Sequence, residues 1–233
     1  MRCLAGIVAT LSCFAVTTSI LNAQDNQESG ANFQPADVQI EASRVYVFVE
    51  KTGLGHQHGV EARLLKSTLS LGASQDAGKL VFDMNSFDAD TEAARKYVGL
   101  TGTTDENTRM AVNENMKGTA VLAVDRYPTA TFDVKSAKAT GQSTAKGLPL
   151  YELNGTFTLH GKARPLSFVA EVEQTRGWLH VKGAFSIKQT DYGIKPYSKI
   201  LGAVGVADEL RIYGDLYVAP TQHVILQNIP KRP

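Results

Sequence analysis

The sequence predicts an all-β fold, an antiparallel barrel or sandwich that carries a small helical insertion. Three observations predict it: runs in which apolar and polar residues alternate with period two, Gly-containing breaks that set those runs at hairpin spacing, and the lack of any strand–helix–strand alternation. Such alternation arises when one face of a strand is buried and the other is wet, because successive side chains point to opposite faces. A chain of 233 residues suits one domain with a sizeable core.

The first 23 residues stand apart from that pattern. Arg2 supplies a positive start, no charged residue follows until Asp25, and Leu4 to Leu21 is apolar with scattered Ser and Thr. A signal peptide cleaved after Ala23 is expected, and with it a periplasmic or secreted location. Two alternatives are weaker. An uncleaved anchor is poorly served by five Ser and Thr within that stretch, and Thr10-Leu11-Ser12 is a poor approach to a lipidated Cys13. Cleavage would remove Cys3 and Cys13, the two cysteines of the chain, and with them disulfides, thiolate metal sites and Cys nucleophiles. Gln24 to Asp37 is polar and aperiodic and reads as a flexible linker. The domain is expected over residues 38–220, with a tail over 221–233.

Within the domain the alternating runs come in order. Val45, Val47 and Val49 open the series, followed by Leu80, Phe82 and Met84. A break from Asp90 to Met116 then offers two short helices, the first capped by Asp90 or Thr91 and the second by Thr104 or Asp105, ending at Lys117-Gly118. Ala130/Phe132/Val134 and Thr156/Phe157/Leu159 resume the strands. Leu166 to Val172, Leu179 to Ile187 and Leu210 to Val218 complete about eight. Asn154-Gly155 between two such runs reads as a turn, although Asn154-Gly155-Thr156 is formally a glycosylation sequon. Lys188 to Glu209 reads as a long loop in which Ile194, Ile200, Leu201, Val204 and Val206 either cover something hydrophobic or cap the barrel end.

Composition excludes several functions. A formal charge of +1 with 20% charged and 43% hydrophobic residues leaves no basic stripe for nucleic acid and is too apolar for a disordered chain. Catalytic motifs are missing: there is no G-x-S-x-G elbow, no phosphate-binding G-x-x-x-x-G-K-[ST] loop and no H-E-x-x-H helix. Gly53-Leu54-Gly55 begins like a dinucleotide fingerprint, but His58 takes the third Gly position, and a hairpin turn explains it better. In extended backbone His56 and His58 share a face and could offer two imidazoles to zinc or copper. The alternative is a polar turn whose imidazoles bond loop backbone or a ligand head group.

The order of several short motifs resembles the YceI-like, or polyisoprenoid-binding, family. They are Tyr127-Pro128-Thr129-Ala130-Thr131-Phe132, then Leu153 to Leu166 (LNGTFTLHGKARPL), then Phe185 to Ile194 (FSIKQTDYGI), then Val206 to Ile212 (VADELRI). The resemblance covers about Val38 to Pro220. Met116 to Leu122 departs from it, because many relatives carry an aromatic pair there.

The resemblance implies an extended, lipocalin-like, eight-stranded antiparallel β-barrel around an elongated apolar pocket. It also implies a non-enzymatic, exported protein that needs no cofactor and holds a long isoprenoid lipid, such as a polyprenyl phosphate or a quinone tail, for transport, storage or sequestration. Its partners would be the lipid and a membrane or transfer protein, with a homodimer left open. Phe82, Phe132, Phe157, Phe168, Leu179, Val181, Phe185, Ile212 and Leu216 are expected to line the cavity, with Met84, Met110 and Met116 as adaptable wall or lid. Each could equally be solid core. The second reading is a metal-binding or metal-dependent protein centred on His56 and His58.

Overall fold

The alternating runs become strands that wrap into a ring. The structure, a computed structural model, describes residues 33–221. The expected signal peptide, most of the expected linker and the tail beyond Thr221 lie outside the described residues. In chain order the elements are β1 (Arg44–Gly53), β2 (His58–Ala62), β3 (Thr68–Leu69), β4 (Gly78–Asp83), β5 (Asp88–Ala89), α1 (Glu92–Tyr97), α2 (Glu106–Lys117), β6 (Thr129–Ser143), β7 (Pro149–Leu159), β8 (Lys162–Thr175), β9 (Trp178–Lys188), β10 (Ser198–Lys199) and β11 (Val204–Val218).

Eight of these follow one another as antiparallel neighbours in the order β4-β6-β7-β8-β9-β11-β1-β2. The two ends of that path meet. Just past β2, Leu64 bridges Phe82 of β4, the Leu65 N–H donates to the Val81 carbonyl at 2.8 Å and the Asp83 N–H donates to the Arg63 carbonyl at 3.1 Å. The eight strands therefore form a closed circuit, which leaves no long edge open to pairing with another chain.

Inward positions follow the alternation. Val45 and Val47 of β1, Phe132 and Val134 of β6, Leu179 and Val181 of β9 and Leu216 and Val218 of β11 are all buried. Outward positions carry polar partners, as where Lys79 and Asp133 pair across β4 and β6 at 2.9 Å.

Connections alternate between the two ends of the ring. The β1–β2 hairpin, the helical insertion, the β7–β8 turn and the β9–β11 connection share one end. The β6–β7 and β8–β9 connections lie at the other. The helices start where the sequence places them: Thr91 Oγ1 accepts from the Ala94 N–H and Asp105 Oδ1 from the Thr108 N–H, each at 3.0 Å. Helix α1 lies against β2 at Gly59, where an added Cβ would stand 2.9 Å from the Ala94 carbonyl.

Three expectations need correction. The stretch read as a loop from Lys188 to Glu209 is largely ordered as a 3-10 turn over Gln189–Tyr192, β10, a second turn over Ile200–Gly202 and the start of a long β11. Gly and Pro break the alternation between Lys188, where β9 ends, and Val204, where β11 begins, but short turns and β10 order the backbone between them. Asn154-Gly155 is not a turn but lies inside β7, where an added Cβ on Gly155 would stand 2.2 Å from the Asp133 carbonyl. Here Gly answers a close strand approach rather than a reversal. Finally, residues 33–37 of the expected linker join the fold: Phe33 meets Trp178 edge-on at 4.7 Å, and the Ala36 N–H donates to the Ala219 carbonyl at 3.0 Å.

Candidate functional site

The ring is solid at one end and hollow at the other. At the end holding the β6–β7 and β8–β9 connections, Leu69, Leu71, Tyr151, Val172, Leu179 and Val218 are buried against one another. Towards the other end the wall opens around a cavity of about 440 Å³, within the range typical of small-molecule sites. All lining residues that the eight ring strands contribute are apolar, His58 excepted. Three of them are glycines, Gly183, Gly205 and Gly214. Gly183 leaves space for the Phe168 ring, since an added Cβ would meet that ring at 2.7 Å, whereas a Cβ on Gly214 would find nothing closer than Leu216 Cγ at 3.9 Å.

Polar lining residues come from the hollow end. His56 and His58 belong to the β1–β2 hairpin, Thr108 and Asn115 to α2, and Gln189, Tyr197 and Lys199 to the β9–β11 connection. The arrangement is amphipathic along its length: an apolar shaft under a rim of imidazole, amide, hydroxyl and ammonium groups. Helix α2 lies on this rim as a half-buried cover, with no residue fully buried. Asn113 accepts from the Ala89 N–H at 2.8 Å and donates to Asp88 at 2.8 Å, while Arg109 donates to the Ala89 carbonyl at 3.0 Å and pairs with Asp88. These bonds fix the side of α2 that carries Thr108, Ala111, Val112, Asn115 and Met116 over the cavity.

The two histidines have different surroundings. His58 Nδ1 lies 2.7 Å from Asp90 Oδ2, and Asp90 also receives the Gly59 N–H at 3.2 Å and Arg95 at 3.1 Å. Burial on its own would raise the Asp90 pKa, but the hydrogen bond and attraction of His58, the Gly59 N–H and Arg95 outweigh it and hold the carboxyl below its ordinary value. Asp90 adopts a left-handed backbone (φ 57°), which Asp tolerates better than most residues. His56 borders the cavity. Among the described residues no group of three His, Cys, Asp or Glu side chains is placed to hold a metal ion.

Of the residues expected to meet a ligand, Phe82, Met84, Met116, Phe132, Phe157, Phe168, Val181, Phe185, Ile212 and Leu216 border the cavity. Two do not. Met110 is 55% exposed, because it sits on the face of α2 turned away from the cavity. Leu179 is inward-facing but belongs to the solid end, paired with Val218 across β9 and β11.

The period-two pattern does not reveal the contribution of α2. Its lining residues Thr108, Ala111, Val112, Asn115 and Met116 are spaced i, i+3, i+4, i+7 and i+8, one helical face, but two of the five are polar and hide the signal. Nor does it reveal Val121 and Leu122, which line the cavity from the irregular segment after α2.

On the outside of the ring, Tyr97 of α1 stacks on Tyr46 with centroids 3.9 Å apart and meets Tyr213 at 5.9 Å. Burial, and then the negative charge and hydrogen bond of Asp215, raise the Tyr97 pKa. Asp215 also receives His180 at 2.5 Å, so the two side chains form a structural clamp.

Comparison with known proteins supplies a family and a fold. The profile of the YceI-like domain matches residues 25–217. A curated protein from Azotobacter vinelandii, named UPF0312 protein, is 27% identical over 117 residues, which cover 47% of this chain and 58% of the relative. The chain thus spans a little over half the length of that relative. Among solved structures, a polyisoprenoid binding domain from Saccharophagus degradans aligns with a TM-score of 0.55 at 16% identity, covering 81% of this chain and all of that one. BcnA from Burkholderia cenocepacia aligns with a TM-score of 0.50 at 19% identity, covering 78% and 99%. At such identities the likeness is one of fold, and it agrees with the lipocalin-like barrel expected from the sequence.

Proposed function

The chain belongs to the YceI-like domain family, and from that premise we propose that it is a non-enzymatic binding protein that buries the tail of an isoprenoid lipid in its barrel. One observation carries the reading: the strand-built wall of the cavity is apolar except for His58, and the polar groups stand at one end. A ligand that matches has a long hydrocarbon tail and a small polar head. At about 0.8 kcal/mol per buried CH₂, each five-carbon isoprene unit taken from water contributes roughly 4 kcal/mol, so a few units suffice for tight retention. The rim then has only to satisfy a head group, for which His56, Asn115, Tyr197 and Lys199 offer donors.

The family and the polyisoprenoid-binding neighbour from Saccharophagus degradans support an isoprenoid over a straight acyl tail. Polyprenyl phosphates and quinones both fit this description. Transport, storage or sequestration in an exported setting belongs to the same proposal, and the leader-like residues 1–23 support it.

Native mass spectrometry of the protein purified from a bacterial periplasm, followed by organic extraction, tests the proposal. The expected result is one isoprenoid lipid per chain. Protein that carries no lipid and takes up neither polyprenyl phosphate nor a quinone when offered them in detergent would overturn it.

A further inference from the structure

We propose that the protein docks onto anionic lipid surfaces through an apolar tip formed by Leu54, Ile200 and Leu201 beside the cavity mouth. Among the described residues these are the three most exposed large apolar side chains, at 81%, 75% and 108% of full exposure. They come from two segments distant in sequence that the fold ties together. Thr52 and Gly53 of β1 pair with Gly205 and Val204 of β11, and the Leu54 N–H donates to the Ala203 carbonyl at 2.9 Å.

The tip adjoins the mouth directly. Gly55 and His56 follow Leu54, and Lys199 and Val204 flank the other segment; all four line the cavity. Ile200 and Leu201 both hold left-handed backbone, φ 52° and 53°, a conformation that a β-branched residue rarely adopts. Their side chains are nonetheless left in solvent rather than folded into the apolar cavity next to them.

Charge chooses the occupant. Lys51, Lys195 and Lys199 lie within five residues of the tip along the chain and are exposed, while residues 51–60 and 192–207 contain no carboxylate. Of the flanking acids, Glu50 is bonded to Gln57 and Asp208 to Thr190; Asp191 is the third. A second copy brought tip to tip would set lysine against lysine. Anionic head groups complement the lysines, and the acyl region beneath them receives the three apolar side chains, the pairing of a short apolar anchor with a basic patch that gives reversible membrane binding. That the membrane is the source of the lipid in the cavity rests on the proposed function; the docking itself does not.

Vesicle co-sedimentation of the full chain tests the inference, with phosphatidylcholine vesicles and vesicles in which about a third of the lipid is phosphatidylglycerol. The expected result is binding to the mixed vesicles that falls at least about tenfold in Leu54→Ser/Ile200→Ser/Leu201→Ser and loses its preference for anionic lipid in Lys51→Gln/Lys195→Gln. Because all five side chains are exposed, the variants should keep the wild-type unfolding midpoint, and Leu54→Ser alone provides a milder second variant. Equal partitioning of wild type and triple variant, or no partitioning of the wild type, overturns the proposal. A dimer in sedimentation velocity that the triple variant dissociates, with no vesicle binding, also overturns it and assigns the tip to a second copy. Vesicle binding by protein that never takes up an isoprenoid would leave the docking intact and sink the proposed function instead.

Discussion

His58 and Asp90, 32 residues apart, are joined at 2.7 Å in a contact that fastens the helical insertion to the barrel. The carboxylate is almost wholly enclosed, its side chain 1% exposed, and it satisfies the imidazole, the Gly59 N–H and the Arg95 guanidinium together. One of the two histidines that share the hairpin thus holds α1 and β2 in register, and α2 follows from α1 over the cavity mouth.

Replacing Asp90 by Asn should therefore cost about 1–3 kcal/mol, the range for leaving buried polar groups unsatisfied, read as a lower midpoint in urea. The pH dependence has a defined sign. The folded-state pKa of Asp90 lies below the ordinary 3.8, so its stabilising effect is complete above that value and is lost as the pH falls through the lower folded value. The stability gap between wild type and Asp90→Asn should be constant above pH 5 and narrow as the pH drops below about 4. A gap that widens in acid would count against the clamp.

Gly214 offers a way to fill the cavity without disturbing its wall. An added Cβ there would meet nothing nearer than 3.9 Å, and a β-branched residue suits a strand better than Gly. Gly214→Val should keep or raise the thermal midpoint while reducing isoprenoid retention at least tenfold. Unchanged lipid content by native mass spectrometry would show that the tail does not occupy this depth.

The barrel was legible because seven of the eight ring strands repeat one simple signal, β2 being the exception, and even the helix caps at Thr91 and Asp105 lay within the sequence reading. The cavity was less so. Inward alternation marks Leu179 and Val181 alike, yet one fills the solid end and the other borders the hollow. What separates them is how far the surrounding side chains reach across the barrel, which period two does not encode. Met110 shows a different blind spot: its residue type suits a lipid contact, but its place on the α2 wheel turns it to solvent. The ring closure through Leu64 and Phe82 rests on one bridge and its flanking hydrogen bonds, too short a pairing to leave a periodic trace.

Leu179 consequently becomes a test of the solid end. Truncation to Ala should cost about 2–5 kcal/mol, as for other buried Leu side chains. Lipid content should stay unchanged wherever the variant remains folded. A longer bound tail in Leu179→Ala than in wild type would instead mean that this side chain sets the cavity floor.

Tyr97 tests how the insertion is held from outside. Its ring lies on Tyr46 at 3.9 Å, and its hydroxyl bonds Asp215, which His180 also engages. Tyr97→Phe keeps the stacking and loses only the hydrogen bond, so a cost of about 1 kcal/mol is expected. Tyr97→Ala loses both, and a cost of about 3 kcal/mol or more is expected. Local opening should accompany it: amide exchange should rise across α1 while β6, β7 and β8, on the far side of the ring order from β1, keep their protection. Since α1 leads into the cover at the mouth, faster lipid exchange with acceptor vesicles should follow in Tyr97→Ala and not in Tyr97→Phe. Equal exchange in all three proteins would mean that α2 is held at the mouth by Arg109 and Asn113 alone.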